Sequence, residues 1–181
     1  GSFVTAIRLT KSSALILYLM RSFTGTTFHL YLPASENKNL AEKIHDNEPI
    51  IGKGRILLMD DDKMLREVAG EILTTVLGYE VAFAKDGEEA IALYSEEKRK
   101  GNPFDLVIMD LTIPGGMGGK EAIRKLIEAD PAVKAVVSSG YSNDPVMADY
   151  KKYGFEGVIT KPYKIKELSE TIFRVLNMHK G

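Results

Sequence analysis

The sequence predicts an α/β protein built on a parallel sheet of five strands, covered by helices on both faces. Two observations carry that expectation. From Arg55 onward, short apolar runs alternate with segments of helical periodicity to the end of the chain. Five such strand–helix units fall within about 125 residues, and crossovers of that kind place helices on both sides of a sheet.

The runs read as strands are Ile56–Met59, Val81–Ala84, Leu106–Met109, Ala135–Val137 and Val158–Ile159. Between them, apolar residues recur at helical spacing. Leu65, Val68, Ala69, Ile72, Leu73 and Val76 fall on one face, and Gly78 comes next as a stop. Ala90, Ile91 and Tyr94 repeat the pattern after Asp86-Gly87, and Ala122, Ile123, Leu126 and Ile127 form a third stripe. A fourth helix is expected to open at Asp144-Pro145, an acceptor cap followed by a proline whose missing N–H costs nothing there. Ile165, Leu168, Ile172, Val175 and Leu176 make the last stripe. Every stripe is read as core packing.

Composition changes near residue 53. Residues 34–53 (ASENKNLAEKIHDNEPIIGK) are polar, carry Pro49 and Gly52, and hold no sustained period. They read as a linker between an N-terminal segment, residues 1–33, and the α/β domain, residues 54–181. His45 within that linker reads as a plain solvent-facing histidine. The longest early apolar run, Ala14–Met20, is seven residues, far short of the roughly 20 needed to span a bilayer. Arg8 and Lys11 precede it, but Arg21 comes at once without a small-residue cleavage site, so it does not read as a secretory signal. The opening Gly1-Ser2, without a methionine, reads as a cloning remnant or the edge of a fragment.

The 44% hydrophobic and 27% charged content is that of an ordinary folded domain. A net charge of −1 gives no electrostatic footprint for nucleic acid or an anionic membrane. The chain has no cysteine, which excludes disulfides, thiol chemistry and thiolate metal sites.

The chemistry is expected at the carboxyl ends of the strands, where such sheets collect their functional groups. The first strand delivers Asp60, Asp61 and Asp62, and the third delivers Asp110. If those strands are neighbours, Asp60, Asp61 and Asp110 converge on one rim. Unpaired carboxylates so close raise one another's pKa values, and a hard divalent cation such as Mg²⁺ removes the conflict. Asp62 is assigned to the cap of the first helix, because Lys63 opens its periodic stretch. The fourth strand ends at Ser138-Ser139-Gly140 and the fifth at Lys161-Pro162. Acid pair, lone acid, hydroxyl and lysine on four strand ends make a set suited to handling phosphoryl groups.

Residues 54–179, about 70% of the chain, resemble a response-regulator receiver domain through MDDD (59–62), MDLTIP (109–114), VSSG (137–140) and ITKPY (159–163). The resemblance implies a flavodoxin-like sheet in strand order 2-1-3-4-5, here with an irregular N-terminal extension. It implies a phosphoacceptor signalling domain rather than an enzyme in the ordinary sense, one that catalyses its own aspartyl phosphorylation and dephosphorylation. Asp110 is then the acceptor. Asp61 and Asp110 bind Mg²⁺ directly, Asp60 through water or a rotated carboxylate, and the Thr112 carbonyl completes the protein ligands. Ser139 bonds the acyl phosphate, and Lys161 pairs with Asp110 and later with the phosphoryl oxygens. A cis Lys161–Pro162 peptide bond is also implied. The implied partners are a histidine kinase or a histidine phosphotransfer domain, with a weak homodimer admissible, no nucleic acid bound directly and no membrane engaged by this chain. The implied location is cytoplasmic.

Two departures stand against the family pattern. The loop after the acceptor strand, Pro114-Gly-Gly-Met-Gly-Gly119, is one residue longer than usual and lacks its acid. Val158 occupies the place, three residues before the lysine, where the family often carries a tyrosine or phenylalanine that swings inward on activation. That predicts a weak conformational output and a role as phosphoryl relay or sink, unless Tyr141 or Phe155 supplies the ring. Residues 25–33 (GTTFHLYLP) are similar to the final strand of histidine-kinase ATP-binding domains, although the nucleotide-binding boxes are absent. The chain therefore reads as the C-terminal part of a hybrid kinase whose kinase portion is missing or garbled.

Three other classes compete with this reading. "PGGMGGK" (114–120) fails as a P-loop, with Pro114 in place of the first glycine and Glu121 where Ser or Thr is needed. An aspartyl phosphatase would want a second acid two residues past Asp110, and Thr112 stands there. A pure interaction module would hold no metal, so Mg²⁺ binding separates it from the receiver reading.

Overall fold

The computed structural model describes residues 48–140 and 144–178 in full, with the backbone of three strands between residues 4 and 31. The chain forms two compact units, Gly1–Asp46 and Asn47–Gly181.

In the first unit, β1 (Val4–Leu9), β2 (Leu15–Ser22) and β3 (Gly25–Tyr31) form an antiparallel sheet in the order β1-β2-β3. This corrects the expectation of an irregular extension. Ile16, Tyr18, Thr26, Thr27, Phe28 and Tyr31 are β-branched or aromatic residues that favour strands. The signal is hard to read because Leu15–Met20 is apolar throughout and lacks the alternation that marks a half-buried strand. His45 and most of the 34–53 stretch lie outside the described residues.

The second unit contains the parallel sheet: β4 (Arg55–Met59), β5 (Glu80–Ala84), β6 (Leu106–Asp110), β7 (Ala135–Ser139) and β8 (Gly157–Thr160). The order is β5-β4-β6-β7-β8, all pairs parallel, which is 2-1-3-4-5 within the domain. The helices are α1 (Lys63–Glu71), α2 (Gly87–Arg99), α3 (Gly119–Ala129), α4 (Pro145–Ala148) and α5 (Ile165–Asn177).

Alternation along each strand sends successive residues to opposite faces. Leu57, Met59, Val107, Met109 and Val137 pack on one side against Ala90, Tyr94, Ala122, Ile123 and Leu126. Ile56, Leu58, Leu106, Ile108 and Val136 pack on the other against Ala69, Leu73, Leu168, Ile172 and Val175. Each fully buried aliphatic side chain contributes about 1.5–3 kcal/mol, and this double layer holds the strand ends in place.

The α1 stripe is only partly core. Ala69 and Leu73 are buried, but Leu65 is 40%, Val68 51% and Val76 39% exposed. The helix carries apolar residues on two adjacent faces, so periodicity alone does not say which turns inward. A five-residue π-turn, Ile72–Val76, then widens the spiral and shifts the phase of the residues beyond it. At the start of α5, Ile165 is likewise 39% exposed. The fourth helix begins as expected, with Asp144 Oδ1 accepting from Val146 N at 2.8 Å and Pro145 in the first turn. It lasts one turn and gives way to a 3₁₀ turn, Tyr150–Tyr153, closed by Gly154 at φ +91°. Among the described residues, no helix is long and apolar enough to cross a membrane.

Candidate functional site

Because β4 and β6 are neighbours, with Met59 opposite Met109, the residues leaving their ends meet. One carboxylate oxygen from each of Asp60, Asp61 and Asp110 lies within 4.8 Å of the others. Asp60 is buried, Asp110 half-buried and Asp61 exposed. The backbone locks the pocket from below. Asp60 Oδ1 accepts from Asp62 N at 3.0 Å, and the Arg66 guanidinium donates to the Asp60 carbonyl. Asp110 Oδ1 accepts from Thr112 N at 3.3 Å. Asp62 stands apart as the α1 cap, its Oδ1 accepting from Met64 N at 2.8 Å and Leu65 N at 3.2 Å.

Lys161 reaches the cluster from the end of β8. Its Nζ is 2.6 Å from Asp60 Oδ2 and 2.6 Å from Asp110 Oδ2, so one ammonium bridges two strands. Its backbone N–H donates to the Ser139 carbonyl at 2.9 Å. The Lys161–Pro162 peptide bond is cis, as expected.

Among the described residues the carboxylates outnumber their ion-pair partners: three acids meet the Lys161 ammonium, and the Arg66 guanidinium is bonded to the Asp60 backbone rather than to a carboxylate. Burial pushes the Asp110 carboxyl above its ordinary value, and the charge of Asp60 adds to that, while Lys161 pulls the other way. For Lys161, burial alone would lower the ammonium, but its bonds to Asp110 and Asp60 outweigh it and hold the group above its ordinary value. A simple ion pair would shift its two members in opposite directions. Here both rise, because burial outweighs the pull of Lys161 on Asp110, while the bonds to two carboxylates outweigh burial on Lys161. Such an oxygen-rich, electron-rich rim fits a hard divalent cation.

Ser139 is buried at the end of β7. By strand alternation it shares the face of Ala135 and Val137, whereas Ser138 shares that of Val136. Ser138 Oγ lies 2.9 Å from the Tyr163 hydroxyl. This pair, and Arg66 under Asp60, are absent from the sequence-level site. The sequence carries two adjacent serines and a tyrosine after the Lys-Pro pair, but nothing in it says which serine faces which layer.

The long loop before α3 closes on glycines. A Cβ at Gly118 would stand 2.4 Å from the Leu111 carbonyl oxygen, and one at Gly119 would stand 2.8 Å from that of Asp110. The Met117 carbonyl accepts from Gly87 N at 2.8 Å, which ties the loop to the start of α2. The extra residue is therefore accommodated by backbone laid directly over the Asp110 end of β6. Val158 is half-buried opposite Val137. Phe155 is only 2% exposed and already forms part of the core, which removes it as a mobile substitute ring. Tyr141 lies outside the described residues.

Comparison with known proteins agrees with this geometry. The family model for the response regulator receiver domain matches residues 56–173. The chain is 34% identical over 122 residues to the chemotaxis protein CheY of Thermotoga maritima, covering 67% of this chain and 96% of that protein. It is 27% identical over 161 residues to the sensor kinase CckA of Brucella abortus, covering 84% of this chain and 16% of that kinase. The crystal structure of the receiver domain from the hybrid histidine kinase CckA superposes with a TM-score of 0.54 at 32% identity, covering 68% of this chain and 99% of that one. By its fold, its strand-end chemistry and these similarities, the chain belongs to the response regulator receiver domain family.

Proposed function

We propose that this domain accepts a phosphoryl group from a phosphohistidine onto Asp110, as a step in a hybrid-kinase phosphorelay. The observation that carries the reading is the Lys161 ammonium set 2.6 Å from both Asp60 and Asp110 beside the exposed Asp61. In the reaction the N–P bond of the donor breaks and its electron pair stays on the imidazole, which takes a proton from solvent. A new P–O bond forms to an Asp110 carboxylate oxygen. Thr112 N–H orients that carboxylate, and Lys161 shifts from it to the phosphoryl oxygens as charge moves outward. Ser139, at the end of the neighbouring strand, donates to the phosphoryl group. When bound, Mg²⁺ would neutralise phosphoryl charge, with Asp60, Asp61, Asp110 and the Thr112 carbonyl as its holders.

In the same reading, residues 34–53 link the receiver domain, residues 54–181, to an N-terminal remnant, residues 1–33, that resembles the end of a kinase ATPase domain. The similarity to the Brucella kinase supports this, since its 161 aligned residues exceed the receiver domain itself. The donor is a histidine kinase or a histidine phosphotransfer domain, and the reaction takes place in the cytoplasm. The test is intact mass after incubation with acetyl phosphate and Mg²⁺. One adduct of about 80 Da is expected, a single phosphoryl group, and Asp110→Asn abolishes it. An unchanged adduct in that variant removes Asp110 from the role.

A further inference from the structure

Lys161 carries a demanding task on a flexible stem. A lysine side chain has four rotatable bonds and ends in a point charge with no preferred plane, yet this one holds two carboxylates from different strands at 2.6 Å each. Its own backbone must be fixed on both sides. On the near side, its N–H continues the β8 ladder to the Ser139 carbonyl. On the far side the chain leaves the sheet through Pro162, which has no N–H to offer. The next residue, Tyr163, reaches back, and its hydroxyl meets Ser138 Oγ at 2.9 Å.

Ser138 is placed to make that bond count. It is fully buried, lies opposite Asp110 in β6 and opposite Ile159 in β8, and its carbonyl accepts from Leu111 N at 2.9 Å. It therefore holds the chain just after Asp110 by its carbonyl and the chain just after Lys161 by its hydroxyl. Its neighbours on that face, Val136 and Ile159, are apolar, so packing alone would be served by a valine. We infer that the Ser138–Tyr163 hydroxyl pair is a positioning device that seats Lys161 on Asp60 and Asp110. Ser138 and Tyr163 are positioning residues, because they act on the reacting groups through Lys161. This rests on the phosphoacceptor reading above.

The test uses Tyr163→Phe and the double variant Ser138→Ala/Tyr163→Phe. The double variant removes both partners and so leaves no buried hydroxyl unpaired, which keeps its folding close to that of the parent. Its maximal rate of phosphorylation by acetyl phosphate is expected to fall roughly tenfold, the scale of a small misplacement of a reacting group. The same change made in a Lys161→Met background is expected to cost nothing further. In the metal-free protein, the side-chain ¹⁵Nζ signal of Lys161 is expected to move toward those of the surface lysines in both variants. An unchanged rate, an unchanged lysine signal, or an equal loss in the Lys161→Met background would each overturn the inference. If the parent protein itself takes up no phosphoryl group, the phosphoacceptor reading fails, and the lysine signal alone then decides whether the hydroxyl pair seats Lys161.

Discussion

Lys161 Nζ and Asp110 Oδ2 lie 2.6 Å apart across 51 residues of chain. Both side chains are about one-eighth exposed, at 12% and 13%, so the contact is shielded but not sealed. Removing the ammonium leaves Asp60 and Asp110 facing each other without the cation that bridges them. Lys161→Met is therefore expected to lower stability by about 2 kcal/mol in the absence of divalent ions, somewhat less than the loss of a fully buried partner. Mg²⁺ should restore more stability to this variant than it adds to the parent. Urea unfolding with and without MgCl₂ measures both terms, and equal Mg²⁺ dependence in the two proteins would contradict the charge accounting.

Asp61 and Asp62 are adjacent in sequence and separate in duty. Asp61 joins the carboxylate cluster, while Asp62 accepts two backbone bonds at the head of α1. Asp61→Ala is expected to weaken Mg²⁺ binding and slow phosphorylation with little change in stability. Asp62→Ala is expected to keep its Mg²⁺ affinity and lose about 1 kcal/mol of stability as a lost helix cap. Calorimetric Mg²⁺ titration beside thermal unfolding separates the two. The reverse assignment of effects would refute the division.

Away from the rim, Asp130 joins α2 to the end of α3. It accepts from the Tyr94 hydroxyl at 2.8 Å and from Ala132 N at 3.2 Å, and it lies 2.5 Å from Lys98 Nζ. The Lys98 ammonium, helped by these two donors, holds its carboxyl below the ordinary aspartate value despite burial. A folded-state pKa below the unfolded one gives stability that is complete above the unfolded value, about 3.9. That stability is lost as pH falls through the folded value. Lys98 is 49% exposed, so solvent screens its share. Asp130→Asn is expected to cost about 1 kcal/mol at neutral pH, with the gap to the parent closing in acid below that window. A gap that persists unchanged at the acid end would show that the charge on Asp130 is not what matters.

Val158 faces Val137 at the place where an inward-swinging ring would act. It is short, branched and stiff about χ1, and Phe155 is already committed to the core. Amide chemical shifts with and without beryllofluoride are expected to change mainly in the loops around Asp110, Ser139 and Lys161. Large changes across residues 144–154 and 164–178 would show a conformational switch that works without the usual ring, and the relay role would then be wrong.

Much of this architecture is legible in the amino-acid order, and the illegible parts have identifiable causes. The interior strands are readable because strands buried on both faces are unbroken apolar runs, and Ile56–Met59 and Leu106–Met109 stop at acids; β5 and β8, at the sheet edges, keep short apolar runs although they are only partly buried. Asp62 can be separated from Asp60 and Asp61 because helix capping has its own spacing. The direction of the α1 stripe cannot be read, since Leu65 and Val68 lie on the outer of two apolar faces and periodicity is blind to that choice. The N-terminal sheet is hidden because an apolar run without alternation fits several structures. Ser138 and Ser139 look equivalent on paper. Only the parity of β7 sends one hydroxyl to Tyr163 and the other to the opposite layer.

The strand order also divides the site by rigidity. Asp60 and Asp110 leave β4 and β6, each flanked by a strand on both sides, whereas Lys161 leaves β8 at the margin of the sheet. Interior strands open only with most of the domain, and marginal strands fray at far lower free energy. Amide exchange is thus expected to be slower along β4 and β6, which carry the acids at their ends, than at the end of β8, which carries the lysine. Fluctuations that lift the end of β8 would uncover the carboxylates briefly without disturbing their spacing.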